Sequence, residues 1–472
     1  MADARDGVTE DIVREALEQF EHSAEGSENI RAAYIADVKF ARLGDQWPKA
    51  IRESREQEAR PVLVINKLPA LIRAIVNESR QNKPSLRIAP VDSGADEESA
   101  QVIGGLVRSV ERNSNADLAY DTAIDHAITG GFGFFRVSID FAHADTFELA
   151  AKIDRVPNAL SVHWDVSSTA FDASDWNYAF ISQMIGKDEY EKLYPGAALS
   201  GFDGDVRSDN TELWVHNDDI RVAEYFKRVE SKRKLLEIAV QDQQGQEKLE
   251  AVREDALPIM ARQFFEAGGI QDIADAKDDD LVETFLAASG VQVRREREVT
   301  FFEVTRYLMN GQEVLETDPW PGQSIPICPV WGDEVWDDGR RHFKSMIRDA
   351  KDSQSMLNYW RSAATELVAL APKAPWLGPK GFIPKGDEDK WASANTRSWA
   401  HLEYDPTAGD RPQRQSFAGV PAGALQEAIN ANEDMQAITG IYPASIGARS
   451  NETSGKAILA RERQGDVSNF HY

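Results

Sequence analysis

Three glycines, Gly130, Gly131 and Gly133, stand close enough together to suggest a loop that cradles a phosphate. They precede the strand-like run GFFRVSIDF and lack the G-x-G-x-x-G spacing of a strand-to-helix turn, so no nucleotide cofactor is expected there. The G-x-x-x-x-G-K-[ST] pattern of ATP-driven motors is absent, and any active movement of nucleic acid would need another protein's ATPase. The histidines at 22, 126, 143, 163, 216, 342, 401 and 471 show neither H-E-x-x-H nor another paired ligand spacing, which gives metal-dependent chemistry no support. Asp165, Asp172 and Asp175 beside His163 could be drawn as a cation site. The stretch DVSSTAFDASDW departs from the calcium-loop pattern, however, and reads as a turn whose aspartates bond nearby backbone. Without G-x-S-x-G or a Cys/His neighbourhood, Cys328 reads as a small apolar residue. No catalytic, cofactor-binding or metal-binding residue is expected.

Basic groups are the remaining candidates. Arg449, Asn451 and Lys456 lie in the small, polar stretch TGIYPASIGARSNETSGK and could touch phosphate transiently. The alternative is a plain connector whose Asn451 or Thr453 caps the following helix. Arg340, Lys344 and Lys351 place cations, with Arg341 and Arg348, on a helix expected over Arg340 to Ala371. Asp337, Asp338, Asp349 and Asp352 are interspersed among them, so the field is mixed.

Composition narrows the role such groups could play. The 472 residues carry 53 Lys+Arg against 79 Asp+Glu, a formal charge of −26. A tight, sequence-independent DNA clamp would show a basic face, because phosphate neutralisation supplies much of its affinity. An acidic chain suits solubility, or a surface that does not hold polyanions. One cysteine permits no internal disulfide and no cysteine-rich zinc or iron–sulfur site, which points to a reducing, intracellular setting. Neither a signal peptide nor an apolar run of membrane-spanning length is present, so membrane insertion is not expected.

These residues must be held by a mixture of helices and strands. Residues 9 to 60 read as helical, with Trp47 and Pro48 ending the first run. The apolar spacing of Ile65, Leu68, Ile72 and Ile75 predicts an amphipathic helix, broken at Pro84. Another helical block begins at Asp96 to Glu98 and continues through Ile103, Leu106, Val107 and Val110, then Leu118, Ile124 and Ile128. From Gly130 the period shortens to that of a strand meander. Asp242 to Glu283 holds 12 acids and 4 basic residues, a local net of −8, and suits a solvated peripheral face or a docking surface for a basic partner. A hairpin turning at Asn310-Gly311 follows. After the long helix, Pro372 opens a Pro/Gly-rich region with two short extended pieces. Helix resumes at Ala422 with Leu425, Ile429, Met435 and Ile438 on one side, and a last helix starts near Ser454 and is unfinished at Tyr472. An ending inside a periodic segment gives the expectation that the natural protein, or its disordered tail, extends further.

The segments NKLPALIRAIVNESRQNKPSLRIAPV, YDTAIDHAITGGFGFFRV, GRRHFKSMIRDAKDSQSMLNYWRSAATE and ITGIYPASIGARSNETSGKAILARERQGDVSNFHY resemble the portal proteins of short-tailed double-stranded DNA bacteriophages. The resemblance implies a mixed α+β, predominantly helical fold with a wing, a long-helix stem and a small α/β clip. Carried onto this chain, residues 1–335 correspond to the wing with an acidic peripheral segment, 336–371 to the first stem helix and 372–420 to the clip. Residues 421–442 correspond to the second stem helix, 443–455 to a channel-facing loop region and 454–472 to an inner wing helix continuing toward a crown. The implied role is structural and non-enzymatic: a homo-oligomeric ring, a dodecamer, at one capsid vertex of the virion, assembled in the host cytoplasm. Double-stranded DNA would pass through its channel without sequence specificity. The implied partners are the terminase large subunit, which supplies the ATPase, a tail adaptor or head-completion protein, and the major capsid and scaffolding proteins. The competing readings are a non-portal capsid or scaffold protein, and an intracellular enzyme without a recognisable motif.

Overall fold

The computed structural model describes residues 2–439 except 82–85, 91–96, 144, 198–213, 217–218, 242–246, 268–277, 290, 371–374, 395–396 and 415–421. In chain order the elements are α1 (Ala2–Arg42), α2 (Lys49–Gln57), α3 (Leu68–Gln81), α4 (Glu97–Ser114), α5 (Ala116–Gly130), β1 (Phe132–Phe141) and β2 (Leu149–Arg155). Next come β3 (Val162–Trp164), β4 (Tyr178–Gly186), α6 (Lys187–Leu193), β5 (Val215–His216), β6 (Asp219–Gln241), β7 (Glu247–Arg253), α7 (Leu257–Ala267) and α8 (Asp278–Ser289). β8 (Gln292–Met309), β9 (Val314–Trp320), β10 (Ile327–Trp331), β11 (Asp333–Asp337) and β12 (Arg340–Lys344) precede α9 (Met346–Leu370). β13 (Trp376–Leu377), α10 (Glu388–Ala392), β14 (Gln413–Arg414) and α11 (Ala422–Thr439) complete a mixed α/β chain. It divides into two compact units, Met1–Ser27 with Leu160–Ile327, and Glu28–Ala159 with Cys328–Tyr472.

The first unit is built on a seven-stranded sheet with the order β3-β4-β6-β8-β9, to which β5 and β7 add by pairing with β6. Ala16 and Phe20, one helical turn apart on α1, pack on Tyr178, Phe180, Tyr225 and Met309 of the sheet. The Ser23 hydroxyl donates to the Trp164 carbonyl at 2.7 Å and fixes the helix against β3. β6 and β8 continue past this core as an antiparallel pair, from Ala223 opposite Met309 to Ala239 opposite Gln292. A second core sits at its end, where Leu236 and Ile238 meet Leu257, Ala261 and Phe265 of α7 and Leu281 and Phe285 of α8. The acidic segment therefore includes a helix pair with its own hydrophobic core, each helix presenting apolar residues at four-residue spacing. The Asn310 turn forms as the sequence predicts, with Asn310 Oδ1 accepting the Gln312 and Glu313 amides at 2.9 Å each.

In the second unit a three-stranded sheet, β10-β1-β2, stands beside α5. The glycine run serves packing here. Gly131 ends α5 in the left-handed region at φ 104°, where a side chain would be strained. At Gly133 a Cβ would lie 2.0 Å from the Ala123 carbonyl oxygen. The main core gathers Leu68, Ile72, Ile75 and Val76 of α3, Ile128 of α5, Met346, Ile347, Ala350 and Leu357 of α9, and Ala428, Ala431 and Met435 of α11.

Three expectations need correction. The long helix begins at Met346, not Arg340, because residues 333–344 form the β11–β12 hairpin, with Asp337 opposite Arg340. Its turn residues Asp338 and Gly339 both have positive φ, 46° and 73°, the backbone an Asp-Gly hairpin turn requires. The helical block expected from Asp96 through Ile128 is two helices, α4 and α5, parted at Asn115, whose φ is 51°; on α4 Ile103 and Leu106 are 50% and 63% exposed, while Ala100 is buried. On α11 Met435 is buried, but Ile429 and Ile438 are 50% and 47% exposed; alanines fill the buried face, as close helix packing against α9 requires. The Leu425 side chain lies outside the described residues.

Candidate nucleic-acid interface

Helix α9 carries the best-organised polar array of the second unit. Gln354, Asn358, Ser362 and Glu366 recur every four residues and so share one helix face. The extended segment 61–67 runs along that face in the opposite direction. Its alternate amides donate to the array: Leu63 N to Ser362 Oγ at 2.9 Å, Ile65 N to Asn358 Oδ1 at 2.9 Å and Lys67 N to Gln354 Oε1 at 3.2 Å. Gln354 Nε2 returns a bond to the Ile65 carbonyl at 2.9 Å. The match is metric: two extended residues advance about 6.6 Å and four helical residues about 6.0 Å. Three side chains thus replace the partner strand that this stretch of backbone lacks. Gln354, Asn358 and Ser362 are buried, and a buried polar group is tolerated when it is bonded.

Ion pairs close both ends of the array. Glu366 accepts from Arg55 at 3.1 Å and from Arg60 at 2.9 Å, and Arg55 also donates to the Pro61 carbonyl through Nε and Nη2 at 3.1 and 3.0 Å. At the start of α9 the buried Asp37 carboxylate accepts from Ser345 Oγ at 2.7 Å and Arg348 Nη2 at 3.0 Å, and it contacts Lys351 Nζ.

The six basic and polar candidates read from sequence fare differently. Arg449, Asn451 and Lys456 lie outside the described residues. Lys344 pairs with Asp349 at 2.6 Å, and Lys351 with Asp37, so both lysine charges are already met by carboxylates. Arg340 is exposed on β12 beside the hairpin turn. The array itself did not bring these residues together. Sequence reasoning passed over Lys67 and Arg361. The Lys67 ammonium reaches across to Asn432 Oδ1 on α11. Burial lowers its pKa, and the nearby Arg361 charge lowers it further. The available signal was the position of Lys67 immediately before the α3 apolar pattern, on the segment that the four-residue array must hold.

The aspartate turn behaves as its composition suggests. Asp175 accepts from Ser168 Oγ at 2.6 Å and the Thr169 and Ala170 amides at 2.7 and 3.0 Å, and Asp165 accepts from Ser167 and Asn177. Those oxygens are spent on the loop itself. Among the described residues no group of three or more His, Cys, Asp or Glu side chains is arranged to hold a metal ion, and no helix is long and apolar enough to cross a membrane. In the second unit two side chains have shifted acidity. Burial, aided by Glu111, pushes the Tyr120 phenol up to about 12. Burial lowers the pKa of His126, whose Nδ1 has no hydrogen-bond partner among the described residues.

The sequence model of a family described as phage P22-like portal protein matches residues 17–472. A relative described as a portal protein, from Acyrthosiphon pisum secondary endosymbiont phage 1, is 24% identical over 480 residues, covering 97% of this chain and 62% of its own length. The chain thus spans less than two thirds of that relative.

Proposed function

The chain belongs to the phage P22-like portal protein family, and we propose that it is a structural, non-catalytic subunit of a ring at a unique capsid vertex of the virion, through whose channel double-stranded DNA is packaged and later ejected. The observation that carries this reading is the family match across residues 17–472. In it, α9 and α11 are the stem helices, residues 372–420 with the β13–β14 pair are the clip between them, and residues 1–335 contribute the wing. Residues 443–455 form the channel-facing loop region, with Arg449, Asn451 and Lys456 as its phosphate contacts, and 454–472 begin the inner wing helix. Arg340 is retained as an exposed candidate, whereas Lys344 and Lys351 contribute through their carboxylate partners.

Local chemistry supports the reading in two respects. Met356, Tyr359 and Val368 of α9 and Ile429 and Ile438 of α11 are exposed, which suits helices that meet neighbouring copies in a closed heterologous ring. The acidic composition suits a channel wall that repels DNA over most of its area and touches it at a few repeated positions. The ring is taken to be a dodecamer that receives a terminase at the clip and a tail adaptor afterwards, within a shell of major capsid and scaffolding proteins. Removing the chain from its phage tests the role: the account expects capsids without DNA, and filled infectious particles would contradict it.

A further inference from the structure

Helix α4 carries two glycines that its own chain does not require. Gly104 and Gly105 stand in the helix interior, where glycine is less stable than alanine. Among the described residues a Cβ at Gly105 would meet no atom within 4 Å, and one at Gly104 only the Arg108 guanidinium, at 3.9 Å. Internal packing therefore excludes a side chain at neither position. Bare helix surface of this kind lets another backbone come close.

The flanks of that surface are unlike. Residues three and four apart on a helix are neighbours, so Gly105 adjoins Gln101 and Arg108 on one side and Val102 on the other, with Leu106 one turn beyond Val102. Gln101, Gly104 and Arg108 line a cleft of about 280 Å³ whose other wall includes Leu86, Arg87 and Ile88. Among the described residues neither Arg87 nor Arg108 has a hydrogen bond or an ion pair, although the chain holds 79 acids for 53 basic residues. Glu97 lines the same cleft, but it stands about three turns from Arg108 and pairs with neither arginine. On the other flank Val102 and Leu106 are exposed. A DNA backbone would answer the two arginines and gain nothing from the apolar flank, whereas a protein surface with carboxylates beside apolar side chains answers both.

We propose that α4 is a contact face for a second copy of this chain: the neighbour's backbone approaches at Gly104 and Gly105, its carboxylate enters the cleft between Arg87 and Arg108, and its apolar side chains cover Val102 and Leu106. The inference rests on the ring reading above, which sets identical acidic copies side by side. In a closed heterologous ring the face meets a different surface of the next copy, so no self-complementarity is needed. A guanidinium can take both oxygens of a carboxylate, which fixes direction as well as charge.

The test measures assembly of the intact chain by analytical ultracentrifugation, with electron microscopy of the same samples. Gly105→Gln adds a side chain where the subunit has room, so the isolated subunit keeps its helix content while a neighbour is held off. The double variant Arg87→Gln with Arg108→Gln removes the charges without adding bulk. Each should weaken association between copies at least about tenfold, the scale of a lost desolvated charge contact. Rings from either variant at the concentration that assembles the native chain overturn the face and leave the ring reading standing. A benzophenone carried on Gly105→Cys, in a Cys328→Ser chain mixed with isotope-labelled native chain, identifies the neighbour's surface. Crosslinks to labelled peptides that hold Asp or Glu support the face, and rings whose crosslinks stay within one chain overturn it. A native chain that remains monomeric at every concentration contradicts the ring reading and the face together.

Discussion

Asn358 Oδ1 accepts the Ile65 amide at 2.9 Å, while the same side chain donates to Gln46 Oε1 at 2.7 Å. One buried amide thus joins the extended segment 61–67, the α9 helix and the chain after α1. Asn358→Ala leaves the Ile65 N–H and Gln46 oxygen unpaired in the interior, and a cost of about 2–3 kcal/mol is expected in denaturant unfolding. Unchanged unfolding free energy would contradict the role given to the array.

Glu366 tests the other end of the array. Arg55 is almost wholly buried against it, at 7% side-chain exposure, and Glu366→Gln strands that charge at an expected cost of about 2–3 kcal/mol. Arg52→Gln breaks the exposed Arg52–Glu56 pair of α2 and should leave the unfolding curve close to that of the native chain, because solvent screens such a pair. The ordering of the two unfolding curves is the check, and equal losses would refute the distinction between the pairs.

His126 gives the second unit a pH dependence. Its folded pKa lies below the unfolded value, chiefly through burial, with Asp125 opposing and Arg155 and Arg42 reinforcing the shift. The unfolded chain therefore binds the proton more readily. The contribution of the neutral ring is complete above the unfolded pKa of about 6.5 and is lost as pH falls through it toward the folded value. Melting temperatures should fall more steeply below that pH for the native chain than for His126→Gln, and parallel curves would exclude the effect.

Much of this fold was legible because it depends on period. Ile72 and Ile75, spaced for a helix face, are buried on α3, and the Asn310-Gly311 turn stands where the sequence signals it. The failures have physical causes. Arg340 to Lys344 read as helix because the cations around them are helix-compatible, but the Asp-Gly turn signal at 338–339 specifies a hairpin and prevails. Ile429 and Ile438 read as one side of the helix with Met435, yet Met435 is buried while they are exposed, and the rest of the buried face is made of Ala428 and Ala431, whose small size permits close approach. At the site, charge type was readable and charge pairing only in part: Lys344 meets Asp349, one of the interspersed acids five residues away, whereas Lys351 meets Asp37, which is distant in sequence and brought by folding.

The loop candidates are tested by charge reversal. If Arg449 and Lys456 have the proposed channel role, Arg449→Glu and Lys456→Glu should reduce packaged DNA per particle severalfold while leaving subunit yield and ring assembly unchanged, since loss of a repeated phosphate contact would alter transit and not folding. DNA content equal to that of the native phage, in particles with fully assembled rings, would remove both residues from the channel.

Electron microscopy of the purified full chain tests the central claim most directly. The account predicts closed rings of about a dozen subunits around an opening wide enough for a DNA duplex, with apolar helix faces buried between neighbours. Monomers across salt and protein concentration, or assemblies closed at the centre, would contradict it.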